Sequence, residues 1–364
     1  RMGRAVLLDV VVVMDPIESI RIAKDTTFAL LLEAARRGHR LWYVRPGRLG
    51  LRDGRAVAEV APLEVRDDAS GWFSLGAYAE VALDARHVVL MRKDPPFDSE
   101  YLYDTHVLGL AQAAGARVVN DPRGLRDFNE KLGALAFPQC CPPTVVSRDA
   151  AVLKAFIGEH GEAVLKPLDG MGGRSIFRVR AGEPNVNVIL ETLTHSGTRL
   201  ALAQRFLPEI AAGDTRILLV DGDPVPYGLA RIPQGDEFRG NLAAGGRGVG
   251  RPLNERDRWI AAQVGPEMRR RGMLLVGLDV IGDWLTEVNV TSPTCVRELD
   301  AQFGLNIAGL VFDALEAGTG DRGPGTGAAG AHADRAGAGA AAIDTPVGGV
   351  ASLGPRSPVP GPDP

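Results

Sequence analysis

The run Val10–Met14 is apolar throughout, with no polar residue to mark a solvent face. Such a stretch suits a strand covered on both sides, as in a parallel sheet with helices above and below it. The residues that follow fit that picture. Asp25, Thr26 and Thr27 offer capping side chains, Phe28, Leu31, Leu32 and Ala35 recur at helical spacing, and Gly38 stops the helix. The stretch "LWYV" reads as the next strand. A second unit runs from the strand His87–Met91 through the loop "RKDPPFD". It continues into a helix from about Ser99 to Ala114, and then the strand Arg117–Asn120. This alternation predicts an α/β domain over residues 1–126.

From Asp127 the texture changes. A short helix carries "FNEKL", Asp149 can cap a further helix, and strands then alternate with hairpin turns. "RILLVDGDPVPYGLARI" holds an Asp-Gly turn and "LLVGLDVIGDWLTEVNV" a Gly-Asp turn. Ile307–Ala317 reads as a closing amphipathic helix, so a second region is expected over 127–316. In residues 317–364, 30 of 48 are Gly, Ala or Pro and none is aromatic, which predicts a disordered tail. "GTGDRG" within it matches a dinucleotide fingerprint formally, but no strand precedes it and no helix follows.

Several function classes are disfavoured early. The formal net charge of -4 argues against a nucleic-acid binder, although a local basic pocket for small anions is compatible with it. No apolar run reaches the roughly 20 residues of a membrane-spanning helix. Arg1 and Arg4 ahead of Ala5–Met14 imitate a secretory signal, but Asp9 interrupts the run and Asp15-Pro16 ends it. Cys140, Cys141 and Cys295 form no C-x-x-C pair, which fits a reducing cytoplasm. In that compartment the "NVT" acceptor at Asn289 is irrelevant.

Chemistry is suggested first by "VLKPLDGMGGRSIFRV". Lys166 ends a strand, and Gly170, Gly172 and Gly173 let the main chain approach a ligand and aim N–H groups at phosphate oxygens. A plain glycine hairpin with Lys166 reaching solvent is the simpler alternative, and no Walker pattern is present. Glu287 and Asn289, two apart in one strand, share a face. A strict two-residue turn would put Asp279 on the opposite face. A three-residue loop or one bulge would bring Asp279, Glu287 and Asn289 together as hard ligands for Mg²⁺. The plainer alternative is a polar sheet face with scattered acids. Arg216 opens one strand and Arg231 ends its hairpin partner. Between Arg231 and Arg251 lies "IPQGDEFRGNLAAGGRGVG", long and glycine-rich enough for a lid, in which Arg239, Asn241 and Arg247 could hold an anion.

The segments "MDPI", "KDTTFALLLEAARRG", "LMRKDPPFD", "LKPLDGMGG", "LARIPQG", "RGNLAAGGRG" and "LTEVNVTSPTC" together resemble bacterial-type glutathione synthetase of the ATP-grasp superfamily. The resemblance runs in order from about Val11 to Ala317. It implies an α/β ATP-grasp fold with an N-terminal Rossmann-like domain. It also implies an ATP- and Mg²⁺-dependent ligase (Mn²⁺ substituting) that joins γ-glutamylcysteine to glycine through an acyl phosphate, and a homotetramer. By the same resemblance Lys131 and Lys166 bind ATP phosphates under a flap, Gly170–Gly173. Asp279, Glu287 and Asn289 hold the metal, Arg216 and Arg231 stabilise the transferring phosphoryl group, and Arg239 belongs to the lid. Gln204, Phe206 and Leu207 fall on the linker that reads adenine, where Arg205 and Phe206 depart from the usual Asn and Tyr. Asp15, Arg92, Asp94, Thr294 and Cys295 are the expected dipeptide contacts. Capping, a surface ion pair and an inert thiol are their plainer roles, and Cys140 and Cys141 read as inert. Two other functions stay open: an ATP-grasp ligase with a different amine acceptor, and a non-catalytic nucleotide-binding regulator. The second would be expected to lack a metal ligand or phosphate lysine, and neither is missing.

Overall fold

The computed structural model describes residues 7–320 apart from Met171, Asn241, Ala243 and Ala244. The apolar run at the N-terminus becomes β1 (Asp9–Val13), whose last four residues are all buried. Asp25 caps α1 (Thr26–Arg36) as expected, its carboxylate accepting from the Phe28 N–H at 2.6 Å. The second strand does not stop at Val44. β2 spans Arg40–Arg52 and folds back through Asp53-Gly54 into β3 (Arg55–Val65), a hairpin that the sequence reading passed over. Both turn residues have positive φ, 50° and 77°, the conformation that Asp-Gly turns favour.

β4 (Phe73–Leu75) and β5 (Ala79–Ala82) both pair with β3. β6 (His87–Met91), α2 (Ser99–Ala113) and β7 (Arg117–Val119) complete the first sheet. Its order is β4-β3-β2-β1-β6-β7 with β5 off the path, and the β2, β1, β6 and β7 core is parallel. Alternate residues of β1 feed two different apolar layers. Val11 and Val13 meet Tyr101 and Leu108 of α2, whereas Val10 and Val12 share a layer with Leu30 and Leu31 of α1.

After α3 (Pro122–Asp127) and α4 (Glu130–Ala134) come two antiparallel sheets. The first contains β8 (Thr144–Ser147), β9 (Glu162–Pro167), β10 (Phe177–Arg180) and β11 (Ala201–Arg205), in the order β10-β9-β11-β8. One face packs on α5 (Ala150–His160) and α6 (Val186–Thr194) through Leu153, Ile157, Leu165, Leu190 and Ala203. The Asp149 carboxylate caps α5, as expected.

The second sheet holds β12 (Asp214–Val220), β13 (Asp223–Ile232), β14 (Arg247–Pro252), β15 (Leu275–Ile281) and β16 (Trp284–Asn289), in the order β14-β13-β12-β15-β16. Its back packs on α7 (Glu255–Arg270), with Ile217, Leu278 and Val288 meeting Ile260 and Val264. The stretch expected to be a single long lid is partly strand, because β14 already begins at Arg247. α8 (Val296–Phe303) and α9 (Ile307–Gly320) follow, and α9 continues past Ala317, where the helix was expected to end. The expected disordered tail lies, from residue 321 onward, outside the described residues. No helix among the described residues is long and apolar enough to cross a membrane.

Candidate active site

Register decides the front face of the second sheet. Arg216 on β12 stands opposite Asp279 on β15, Asp214 stands opposite Arg231 on β13, and Asp279 stands opposite Glu287 on β16. The turn between β15 and β16 has two residues, since Ile281 pairs with Trp284. A bulge after Val280 and Leu285 then shifts the register, so the bulge alternative holds. Asp279, Glu287 and Asn289 therefore share one face.

On that face the charges interlock. Arg216 donates to both oxygens of Asp279 at 2.6 and 3.2 Å. Arg231 reaches Asp279 at 2.9 Å and Asp214 at 2.5 Å. All four groups are buried. Burial alone would favour protonation of Asp279, but Arg216 and Arg231 outweigh it and hold the carboxyl well below the usual carboxylate range. Asp214 ends on the other side of that balance. Burial, its largest influence, pushes it up to about 7 against the pull of Arg231, and its Oδ1 has no partner among the described residues.

The lysines face this array. Lys131 on α4 is buried and donates to Glu130 at 2.6 Å and to the Gly170 carbonyl at 2.8 Å, with Glu287 at 3.6 Å. Burial opposes its charge, but Glu287 and Glu130 raise its pKa above the ordinary lysine range. Lys166 on β9 lies 4.0 Å from Glu287 and 3.4 Å from Oε1 of buried Gln204. Gly172 and Gly173 have φ of 61° and 78°, which other residues adopt only with strain. A Cβ on Gly170 would meet Pro167 at 2.7 Å. Arg239 reaches across from the loop between β13 and β14 to the Gly173 carbonyl at 2.7 Å.

Two adjoining cavities result. One, of about 200 Å³, is lined by Lys131, Gly170, Gly172, Gly173, Arg216, Arg231, Asp279, Glu287, Asn289, Asp94, Thr294 and Cys295. The other is a narrow slot between the two sheets, with Lys166, Gln204, Phe206, Leu207 and Arg239 on its walls. The Phe206 N–H is already spent on the Glu162 carbonyl at 3.1 Å, and the Arg178 guanidinium lies 3.8 Å above the Phe206 ring.

Asp15 and Arg92 do not line either cavity. Asp15 accepts from the Asp94 N–H at 2.8 Å. Arg92 is buried, donating to Thr27 and to the Pro293 carbonyl at 3.0 Å each, so it ties the end of β6 to the loop ahead of α8. Cys295 is fully buried with φ of 88°, and burial pushes its thiol up. Arg247 is exposed and lines neither cavity. Asn241 lies outside the described residues. Glu130, Asp214 and Ser292 were missed. Asp214 carried a usable signal, since it sits two residues before Arg216 in the same strand.

Comparison with known proteins bears on the family of the chain. Residues 8–126 match the family model for the prokaryotic glutathione synthetase N-terminal domain, and residues 130–304 match that for its ATP-grasp domain. The chain belongs to the prokaryotic glutathione synthetase family. Glutathione synthetase of Xanthomonas campestris pv. campestris is 78% identical over 312 residues, covering 86% of this chain and 99% of its own. That of Pseudomonas aeruginosa is 57% identical over 306 residues, covering 84% and 96%. Among solved structures, D-cycloserine synthetase DcsG superposes with a TM-score of 0.58 at 17% identity, covering 85% of this chain and 99% of its own. The ATP-grasp ligase PsnB, complexed with minimal precursor, Mg and ADP, gives 0.56 at 16%, covering 85% and 98%. At such identities these two speak for the ATP-grasp fold alone.

Proposed function

We propose that this chain is an ATP-dependent ligase that joins γ-glutamylcysteine to glycine, forming glutathione with release of ADP and phosphate. The observation that carries the reading is the charged face of β12–β16 set against Lys131 and Lys166, in a chain 78% identical to a glutathione synthetase.

The chemistry begins with repulsion, because a carboxylate must attack a triphosphate. Lys131 and Lys166 bind the phosphates, the glycine loop from Gly170 to Gly173 covers them, and the slot at Gln204, Phe206 and Leu207 takes the adenine. The cysteinyl carboxylate forms a bond to the γ-phosphorus as the bond to ADP breaks, giving an acyl phosphate. Arg216 and Arg231 offset the charge on the transferring group. The glycine amine then attacks the acyl carbon, phosphate leaves, and the amine loses its proton. Arg239 and its loop exclude water, which would otherwise hydrolyse the intermediate. Asp94, Thr294 and Cys295 line the dipeptide end, with Asp15 and Arg92 fixing that wall from behind.

The donor set suits a hard divalent ion. Two carboxylates and an amide oxygen share one face, and Asp279 stays ionised with lone pairs beyond those its arginines use. Bound there, Mg²⁺ (or Mn²⁺) would neutralise phosphate charge.

The division into 1–126 and 127–316 belongs to the same reading and is supported by the two family models meeting between residues 126 and 130. A cytoplasmic location is supported by three free, buried thiols. A homotetramer is also proposed. Exposed Tyr103 and Leu110, seven residues apart on α2, offer a face for it, and sedimentation would test the assembly. The deciding experiment is product analysis with Mg-ATP, γ-glutamylcysteine and glycine. Glutathione formed only with all three substrates supports the reading, whereas ADP without the tripeptide points to another acceptor.

A further inference from the structure

The glycine loop has a second side. A cavity of about 520 Å³ lies behind it, and Gly170 lines both this cavity and the one in front. The rear cavity is formed by loops at the ends of β8, β9 and β11 and by the C-terminal end of α6.

Its chemistry is two-part. Leu168, Phe177, Leu193 and Leu200 give an apolar floor, and Leu200 is 38% exposed. Arg148, Arg174 and Arg199 stand around it with one acid, Asp169. The guanidinium groups of Arg148 and Arg174 have no hydrogen bond or ion pair among the described residues. Arg199 meets Asp169 only at 3.7 Å, both side chains being more than half exposed, and such a pair is worth little. The C-terminal end of α6 attracts cations weakly, but it accounts for neither the apolar floor nor the surplus charge.

A larger cleft of about 980 Å³ between α2, α3 and the end of α7 also holds arginines. Those are mostly committed: Arg126 to the Thr105 carbonyl, Arg269 to Asp223, and Arg270 and Arg271 to Glu267. The rear cavity differs in having open guanidinium groups over an apolar surface.

We propose that this rear cavity binds a small organic anion with an apolar body, of the aromatic carboxylate or sulfonate class. Its volume falls within the roughly 300–1,000 Å³ of ordinary ligand pockets. Occupancy is felt at the front. The carbonyls of Leu168, Gly170 and Gly173 are held by Asn129, Lys131 and Arg239. An anion drawing Arg174 rearward loosens those contacts, so it raises the KM for ATP.

The probe is anilinonaphthalene sulfonate, titrated by fluorescence into the full chain saturated with Mg-ADP so that the front slot is filled. One saturable site is expected, about ten-fold weaker in the Arg148→Glu/Arg199→Glu double variant. On the unaltered chain, affinity falls several-fold between about 0.05 M and about 0.5 M NaCl. Saturating probe raises the KM for ATP about two-fold or more. Equal affinity in the charge-reversed variant, complete displacement by ADP, or indifference to salt would each overturn the site. A KM for ATP that ignores bound probe would overturn the coupling. The binding arm stands whether or not glutathione is formed.

Discussion

Asp279 lies directly opposite Glu287 across β15 and β16, although the two-residue turn by itself would set Asp279 against Thr286. Thr286 is the extra residue of the bulge, and its hydroxyl donates to the Asp279 carbonyl at 3.1 Å. One inserted residue thus brings three oxygen-bearing side chains, Asp279, Glu287 and Asn289, to a common face while Leu285 and Val288 stay in the core.

Replacing Glu287 by Gln keeps the shape and removes the charge. Turnover is expected to fall about 100-fold or more, and the Mg²⁺ concentration for half-maximal rate to rise. Initial rates over a Mg²⁺ series measure both, and an unaltered Mg²⁺ dependence would remove Glu287 from the metal site.

Arg231 is 4% exposed and joins two buried carboxylates, Asp214 and Asp279. Arg231→Ala leaves both short of a partner, and the expected loss of stability is about 3–5 kcal/mol. Urea unfolding measures it. A loss below about 1 kcal/mol would mean that the carboxylates are satisfied without Arg231.

Arg239 links two loops through the Gly173 carbonyl. In Arg239→Ala the intermediate meets water, so ADP is expected to outrun the tripeptide. The ratio of ADP to glutathione, near one in the unaltered chain, reports this directly. A ratio that stays near one at lower kcat would give Arg239 a role in phosphoryl transfer but not in shielding.

Asp104 on α2 is pushed up to about 6, chiefly by burial, with Glu100 and Asp98 adding to the shift and Lys93 opposing it. Its folded pKa exceeds the unfolded value of 3.8, so the folded state holds the proton more tightly. Stability from this group is present below about pH 4 and is lost as pH rises through about 6. Discounted for its partial exposure, Asp104→Asn should gain about 1 kcal/mol over the unaltered chain between pH 4 and pH 8. Paired unfolding curves at the two pH values test it, and a pH-independent difference would refute the assignment.

The first sheet was legible where burial on both faces left a period-free apolar run, as in β1, and where caps such as Asp25 and Asp149 marked helix starts. The β2–β3 hairpin was passed over although Asp53-Gly54 signalled it, because "LWYV" already accounted for a strand. Glu130 and Asp214 escaped for another reason. Glu130 pairs with its own neighbour Lys131, and only folding sets that pair against Glu287 and the Gly170 carbonyl. The spacing of Asp214 from Arg216 hinted at a shared face but not at its contact with Arg231 on the next strand.

The sequence by itself determined which elements form and which residue types are available, since apolar periodicity, capping and turn chemistry are local. It also identified the family, through long motifs in order. Only the tertiary structure decided between the facings of Asp279, because a bulge changes register without changing composition. It also decided that Arg92 is a buried tie, and that one glycine loop separates two cavities. Those outcomes depend on which surfaces meet, and packing fixes that only once the sheets have docked.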